Sequence, residues 1–307
     1  MKILKISTTE FNTIRTLFSA LHECVNVVNM QIIFDHNDKN KNSILIRQMT
    51  PTKVALFNVK LNGHQFDKFE SAFETLNISI QLSEICDIFN NNNLETVDNI
   101  KMYITNSNDS YFSIQLNNYE QMKCVIKHIP IISKSFDDNP EWKISLPDIT
   151  FHAVIQMNSQ RFNQICKNTF DNVMNIVCLK DKVTFKYKYE STPNTNTPNT
   201  YITNKRSSFK QISGGHTSIV FDNNNNKKID ETFDITILKD FSHSNLPSLC
   251  NTVEIYIRNN YPACIIYTTS LGKIMIATSN IGRWDICKQV KRERCELNID
   301  QNKRQCV

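Results

Sequence analysis

The stretch EFNTI at residues 10–14 reappears as RFNQI at residues 161–165, half a chain later. In both stretches a Phe and an Ile stand three positions apart, and further apolar residues continue the spacing of an amphipathic helix. We predict one helix at 10–28 and another at 159–170. Matching helices at corresponding points indicate that one structural unit is used twice in this chain.

Each predicted helix lies within the same order of elements. Runs of alternating polar and apolar residues, which are typical of half-buried strands, follow both helices, and a second helix is predicted at 81–89 and at 238–246. The strands are predicted at 30–35, 43–49, 53–61, 69–80, 99–105, 111–116 and 121–128, and then at 151–157, 173–179, 182–189, 252–258, 263–269 and 273–278. The predicted fold class is α+β, with two similar domains that each pack two helices on antiparallel sheets.

A segment that is typical of a linker separates the two halves. Residues 130–149 mix charged and apolar side chains and contain prolines at 130, 140 and 147. We therefore predict an N-terminal domain at 1–129, a connector at 130–149 and a C-terminal domain at 150–282. A basic tail at 283–307 is predicted to be disordered, and its binding to DNA or to a partner stays an open hypothesis.

Composition indicates a folded protein and leaves its partner open. The 307 residues are 40% hydrophobic and 21% charged, and the net charge of +5 permits a nucleic-acid partner without requiring one. The ten cysteines form no CxxC pair, which favours reduced thiols and an intracellular location. No signal peptide is recognisable, and no apolar run reaches the length of a membrane span.

The residue pattern argues against catalysis. The five glycines are not arranged as in loops that bind phosphate groups. The seven histidines are not spaced as zinc ligands, and His22-Glu23 lacks the second histidine of a metalloprotease motif because Asn26 stands in its place. We expect no enzyme, no metal and no cofactor, and we keep an α+β enzyme with an unrecognised site as an alternative.

Four stretches give the chain its resemblance to a known family. They are QMTPTKVAL at 48–56, the run from Phe69-Glu70 to LSEIC at 82–86, FNQICK at 162–167, and YPACIIY at 261–267 with GKIMIA at 272–277. In order and spacing they resemble the sliding clamps of the proliferating cell nuclear antigen (PCNA) type, over nearly the whole chain. Asparagine-rich loops and the extra tail indicate a divergent member, with a large DNA virus or an AT-rich protist as its source.

The resemblance implies a function without catalysis. Members of the family close into rings, often of three two-domain subunits, whose helices line a hole for duplex DNA. They are processivity factors that tether DNA polymerases and other replication or repair proteins. A homotrimer, a clamp loader and partners with short peptide motifs are therefore implied, in the nucleus or, for a viral protein, in the replication compartment of the host cell. The alternative is a monomeric clamp-fold accessory factor that binds DNA without closing a ring.

The resemblance also implies residues that face the DNA. On the pore-lining helices the candidates are Arg15, Arg161, Gln164, Lys167 and Lys239. Such side chains attract phosphates without reading bases. Glu84 and Asp87 stand where the family usually has lysines, so we expect a less basic pore. An ordinary solvated helix face is the alternative interpretation of these five residues.

A front pocket for a short partner helix is implied as well. Its predicted residues are Lys53, Val54, Leu56, Ile144, Leu146, Pro147, Pro262, Met275, Ile276, Ala277 and Thr278. Lys53 and Thr278 replace a His and a Pro that are common in the family, which leaves the identity of the partner open. Packing in the core or at a sheet edge is the alternative for most of these residues. Contact between subunits is predicted between strands at 121–127 and near 218–221.

Overall fold

The computed structural model describes residues 2–91, 94, 96–136, 150–169, 172–179, 182–187, 208–211, 218–221 and 228–281. The first half contains β1 (Leu4–Thr8), α1 (Phe11–His22), β2 (Val27–Ile33), β3 (Ser43–Met49), β4 (Ala55–Asn62), β5 (Lys68–Ser71), β6 (Thr75–Gln81), α2 (Leu82–Asn90), β7 (Asn99–Ile104), β8 (Tyr111–Asn118) and β9 (Lys123–Ser135). The second half contains β10 (Ala153–Asn158), α3 (Ser159–Lys167), β11 (Val173–Leu179), β12 (Lys182–Tyr187), β13 (Ser208–Gln211), β14 (Ser218–Phe221), β15 (Ile229–Asp234), α4 (Thr236–His243), β16 (Thr252–Ile257), β17 (Ala263–Thr268) and β18 (Gly272–Thr278). The two halves have the same order of elements, which confirms the predicted α+β class and its repeat.

Strand pairing repeats together with the order of elements. β1 lies between β5 and β7, and β10 lies between β14 and β16 in the same way. β2 pairs with β3 and β6, as β11 pairs with β12 and β15. All of these pairings are antiparallel. By the same correspondence, β13 is the counterpart of β4, and β18 is the counterpart of β9.

The helices bury one face each, and their observed ends differ from the predicted ones. α1 buries Ile14, Phe18 and Leu21, and it ends at His22 rather than at 28 because the chain enters β2 at Val27. α3 begins after Asn158, whose side chain accepts the backbone N–H of Arg161 and so caps the helix. It ends at Lys167 rather than at 170. α4 covers 236–243 rather than 238–246, and a 3-10 helix, Leu246–Leu249, follows it.

Two strand predictions are corrected by the structure. The single strand predicted at 69–80 is divided into β5 and β6, because Ser71 hydrogen-bonds across a turn to the backbone of Phe73. β9 continues through Ser135 by pairing with β6, so residues 130–135 of the predicted connector belong to a strand. Residues 137–149 of that connector lie outside the described residues.

The two halves are joined by the pairing of β18 with β4, which we call the internal seam. This pairing runs from Gly272 opposite Leu61 to Thr278 opposite Ala55 and creates one sheet of fourteen strands. β13, β12, β11 and β15 form a separate four-stranded sheet. Gly272 is required at the seam because its φ is +156° and because a Cβ would lie 2.1 Å from the carbonyl oxygen of Lys60.

A shared core lies between the helices and the sheets, and it includes residues of both halves. Phe57 of β4 stacks on Phe241 of α4, with ring centroids 5.1 Å apart and an interplanar angle of 20°. Within the first half, Phe11 of α1 meets Phe89 of α2 edge to face, with ring centroids 5.5 Å apart. The opposite side of the sheets, away from the helices, is called the outer face below.

Candidate nucleic-acid interface and partner pocket

The exposed side of α3 carries three of the predicted pore residues. Gln164 and Lys167 are exposed, and Arg161 is partly exposed. Their three-residue spacing places them on one helix face, while Phe162 and Ile165 on the other face are buried. The amphipathic pattern that identified the helix therefore also orients two cations and an amide toward solvent.

α4 lies beside α3 and contributes a further cation. The Nδ2 of Asn163 on α3 donates a hydrogen bond to the carbonyl oxygen of Ser242 on α4 at 3.1 Å. Lys239 of α4 donates from Nζ to Oδ1 of Asn172 at 3.2 Å. Four of the five predicted pore residues are thus brought together on two neighbouring helices of the second half.

The corresponding surface of the first half is less positive. Arg15 of α1, the fifth predicted residue, is exposed and donates from Nη2 to Oδ1 of Asn90 at 3.2 Å. On α2, Glu84 and Asp87 lie 2.7 Å and 3.5 Å from Nζ of Lys127, which comes from β9. This lysine compensates part of the negative charge on α2. The helix side of the chain is therefore more positive on α3 and α4 together than on α1 and α2.

On the outer face, an apolar cluster crosses the internal seam. Leu56 of β4 lies opposite Ala277 of β18, which in turn lies opposite Cys264 of β17. These three side chains are buried together. The partly exposed side chains that pack on them are Phe151, Tyr256 and Met275. We call these six residues the seam cluster.

The predicted front pocket overlaps with the seam cluster in Leu56, Met275 and Ala277. Lys53, at a turn with φ 58°, and Pro262 are exposed nearby in the chain. Ile144, Leu146 and Pro147 lie outside the described residues.

Three other predicted pocket residues face a different way. Ile276 alternates with Met275 and Ala277 along β18 and is completely buried in the main core. This corrects its assignment to the pocket, because successive residues of a strand face opposite sides of the sheet. Thr278 is 1% exposed and shares the side of Ile276. Val54 packs against the main core rather than in the seam cluster.

Comparisons with known proteins show what this chain is similar to. Residues 145–278 match the family model for "Proliferating cell nuclear antigen, C-terminal domain". A relative, "Probable DNA polymerase sliding clamp 1" of Paramecium bursaria Chlorella virus 1, is 22% identical over 282 residues, which cover 91% of this chain and 97% of the relative. This chain is a divergent, PCNA-like sliding clamp.

Further matches are to sliding clamps and PCNA structures as well. The "Probable DNA polymerase sliding clamp" of Acanthamoeba polyphaga mimivirus is 28% identical over 153 residues, which cover 47% of this chain and 27% of that protein. The crystal structure of PCNA from Entamoeba histolytica superposes with a TM-score of 0.71 at 14% identity, over 91% of this chain and 99% of that chain. PCNA from Thermococcus kodakaraensis gives 0.68 at 13% identity, over 90% and 99%. The clamp fold therefore extends through both halves.

In this clamp two carboxylates lie where the two halves approach each other on the helix side. Burial raises the pKa of Asp240 on α4, the positive charges of His243 and Lys239 act against that rise, and the negative charge of Glu23 adds to it. Glu23 follows α1 directly, so the two carboxylates mark the place where α1 approaches α4. Their charges reduce the positive potential between the two pairs of helices.

Sequence reasoning missed three members of the seam cluster: Phe151, Cys264 and Tyr256. The Oη of Tyr256 donates to Oε2 of Glu254 at 2.9 Å, and burial together with this carboxylate raises the pKa of Tyr256 to about 12. The alternation in β16 signals that Tyr256 and Glu254 share a face. Their position beside the seam depends on the register of β16 with β17, which no local pattern contains.

Membrane-spanning helices and clusters of metal ligands are both absent from the described residues. None of the described helices is long and apolar enough to cross a membrane. Nor do the described residues contain a group of three or more His, Cys, Asp or Glu side chains that could hold a metal ion.

Proposed function

We propose that this clamp is a DNA polymerase processivity factor: a ring that encircles duplex DNA, slides along it and tethers replication or repair proteins. The internal seam is the observation that carries the proposal. Its strands, β18 and β4, have β9 and β13 as their counterparts in the repeat. Among the described residues, β13 and the 123–129 part of β9 each pair with a strand on one side alone.

Pairing of β9 with β13 of the next chain would reproduce the internal seam between two molecules. Such a head-to-tail contact generates a ring when its rotation closes, and three subunits are common in the family. The strand predicted from sequence near 218–221 is β14, which pairs with β10 as β5 pairs with β1. The repeat therefore favours β13 as the contact strand.

The helices would line the inside of this ring. Arg161, Lys167 and Lys239 would supply most of the attraction for phosphates, with Gln164 as a polar neighbour and Arg15 as a single cation on the other half. Contacts of this kind are independent of base sequence and allow a protein to slide on DNA. The family acts without catalysis, and we infer the same role here.

The seam cluster would receive the partner helix. A short amphipathic helix presents apolar and aromatic anchors at three- and four-residue spacing, and the partly exposed Phe151, Tyr256 and Met275 offer a surface for them. Ile144, Leu146 and Pro147 of the connector would complete this pocket. The partners would be a DNA polymerase, a clamp loader and other proteins with short motifs, inside the cell that replicates the viral or cellular DNA.

A topological retention assay tests whether the ring encloses DNA. Linear duplex DNA is fixed to beads by one end and incubated with the full chain, and its free end is then blocked with biotin and streptavidin. A wash at high salt removes protein that is held by phosphate contacts alone, because such contacts weaken steeply with salt. We expect the clamp to be retained on blocked DNA and lost from DNA whose end stays open.

Equal loss from blocked and open DNA would contradict encirclement and favour a monomeric, charge-dependent factor. Multi-angle light scattering on the same preparation gives the second readout. A mass of three times the 35.7 kDa chain is expected, and a mass of one chain under all conditions would exclude the ring.

A further inference from the structure

Four lysines gather on the outer face of the first half, far from the proposed pore surface. Ser7 of β1 lies opposite both Lys68 of β5 and Lys101 of β7, so these two lysines flank it. Lys5 occupies the next outward position on β1. Lys2 extends over the ring of Tyr103, with its Nζ 3.2 Å from the ring centroid. We call Lys2, Lys5, Lys68 and Lys101 the lysine patch.

Within the patch the pKa values of Lys5 and Lys2 are lowered, whereas Glu70 and then Lys5 raise the pKa of Lys68. The ammonium group of Lys68 is the main cause that lowers the pKa of Lys5, and Lys101 adds to the effect. Burial, followed by the charges of Lys5 and Lys101, lowers the pKa of Lys2. Among the described residues, Glu70 alone forms an ion pair with the patch, at 2.8 Å from Nζ of Lys68. Positive charge therefore exceeds negative charge at this place, and a bound anion would relieve the repulsion.

We propose that the lysine patch is a docking surface for an acidic, extended polypeptide segment of a partner protein. The patch extends across three neighbouring strands, β7, β1 and β5. Lys68 and Lys101 lie on the two strands that flank β1, so their backbones are separated by about 10 Å, and Lys5 lies two residues from Ser7, or roughly 7 Å along β1. Carboxylates at alternate positions of an extended segment are also roughly 7 Å apart, so the long side chains of these lysines can reach more than one carboxylate of an acidic segment.

The same observations disfavour a nucleic acid at this surface. Sites for single-stranded DNA combine cations with exposed aromatic rings on which bases stack. The one ring in the patch, Tyr103, is 8% exposed because Lys2 covers it. Duplex DNA inside a ring would lie on the helix side of the sheet, which is the opposite side. The inference is independent of ring closure, since it concerns the outer face of a single chain.

Fluorescence anisotropy with the full chain tests the proposal, with a labelled peptide of alternating Asp and Ser as the probe. The variant is Lys5→Gln with Lys101→Gln. The matched control is Lys39→Gln with Lys41→Gln, which removes the same charge from the turn between β2 and β3. We expect the patch variant to bind the peptide roughly three- to tenfold more weakly and the control to change by less than about twofold, as exposed ion pairs are individually weak.

Three results would overturn the proposal. The first is no binding of the peptide to the unchanged clamp at low salt, and the second is an equal loss in patch and control variants. The third is tighter binding of single-stranded DNA of equal charge, with loss in the patch variant, which would make the patch a nucleic-acid surface. Thermal melting verifies folding, and Lys68→Gln with Lys101→Gln replaces the first variant if that variant does not fold.

Discussion

Met275 is the residue that best tests the seam cluster. It lies on β18 between Asn58 of β4 and Ile266 of β17, and it is partly exposed. For Met275→Asp we expect binding of a helical peptide with apolar and aromatic anchors to weaken at least about tenfold, because an unpaired carboxylate is costly to bury. Fluorescence anisotropy with the labelled peptide provides the measurement.

Lys273→Asp is the matched control for that substitution. It introduces the same side chain on the same face of β18, two positions away, where the residue is exposed. Peptide binding is expected to stay within about twofold of the unchanged protein, as surface substitutions have small effects. Equal weakening by both variants would show that charge, and not the cluster, governs the binding.

At this scale the sequence predicts which residues of one strand share a face. It does not predict which residues of other strands lie beside them. Alternation in 272–278 separates Met275 and Ala277 from Ile276, although the family resemblance alone had grouped the three. Cys264 reaches Ala277 through the β17–β18 pairing, and Leu56 reaches both because β4 pairs with β18 from a distant part of the sequence. Such contacts depend on register, which is decided by the packing of the whole sheet.

Among the elements, α3 is the helix whose charges carry the proposed DNA contact. For Arg161→Gln with Lys167→Gln we expect weaker binding of duplex DNA and a smaller dependence on salt. Each lost phosphate contact lowers the slope of log K against log salt by about 0.9, so the double variant loses roughly 1.8. Titrations of a labelled duplex at several salt concentrations measure this slope.

The opposite change in charge is made in the first half by Glu84→Gln with Asp87→Asn on α2. It removes two carboxylates and leaves Lys127 without its ion pairs, so DNA binding at low salt is expected to become tighter. Unchanged binding in both double variants would indicate that the helix side does not face DNA.

Strand β9 allows a matched test of the contact between subunits. Ile126 is 46% exposed and lies where β9 pairs on one side, while Ile132 is 57% exposed and lies where β9 pairs with β6. Ile126→Asp is expected to shift the mass from trimer toward monomer, and Ile132→Asp is expected to leave it unchanged. Light scattering over a range of concentrations measures both, and a trimer that survives Ile126→Asp would argue against β9 as the contact strand.

The sequence predicted elements well where their signal is local. The helices α1 to α4 were located by apolar spacing, since that pattern lies within one or two turns. β9 was predicted to stop before Pro130, yet it continues through Ser135. Pro130 is tolerated because it lies opposite Tyr111 at a place where the pairing of β9 passes from β8 to β6. That change of partner is a tertiary feature and has no local pattern.

The whole molecule is expected to unfold in one step, although it contains two similar halves. The internal seam joins them in one sheet, and Phe57 stacks on Phe241 across the junction. Phe57→Ala is expected to lower the free energy of unfolding by about 3–5 kcal/mol, because it leaves a cavity in the shared core. Differential scanning calorimetry should show a single transition at lower temperature.

Two separate calorimetric transitions in the unchanged chain would contradict a shared core. Neither the internal seam nor the separate four-stranded sheet follows from periodicity or composition. The seam arises because β4 and β18, which are distant in sequence, pair with each other, and the four-stranded sheet is separate because β13 pairs with β12 alone among the described strands. The family resemblance predicted a two-domain clamp, and the structure adds which strand edges are left for a neighbouring molecule.

The 123–129 part of β9, which pairs on one side alone among the described strands, also carries a cysteine whose rate of alkylation depends on opening of the ring. Cys124 is exposed on that stretch, whereas burial raises the pKa of Cys166 and of Cys178 to about 12 and keeps those thiols unreactive. In a closed ring a neighbouring strand would shield Cys124, so alkylation would proceed while that junction is transiently open. Peptide mapping by mass spectrometry at increasing times would then report how often the junction between subunits opens, without any engineered label.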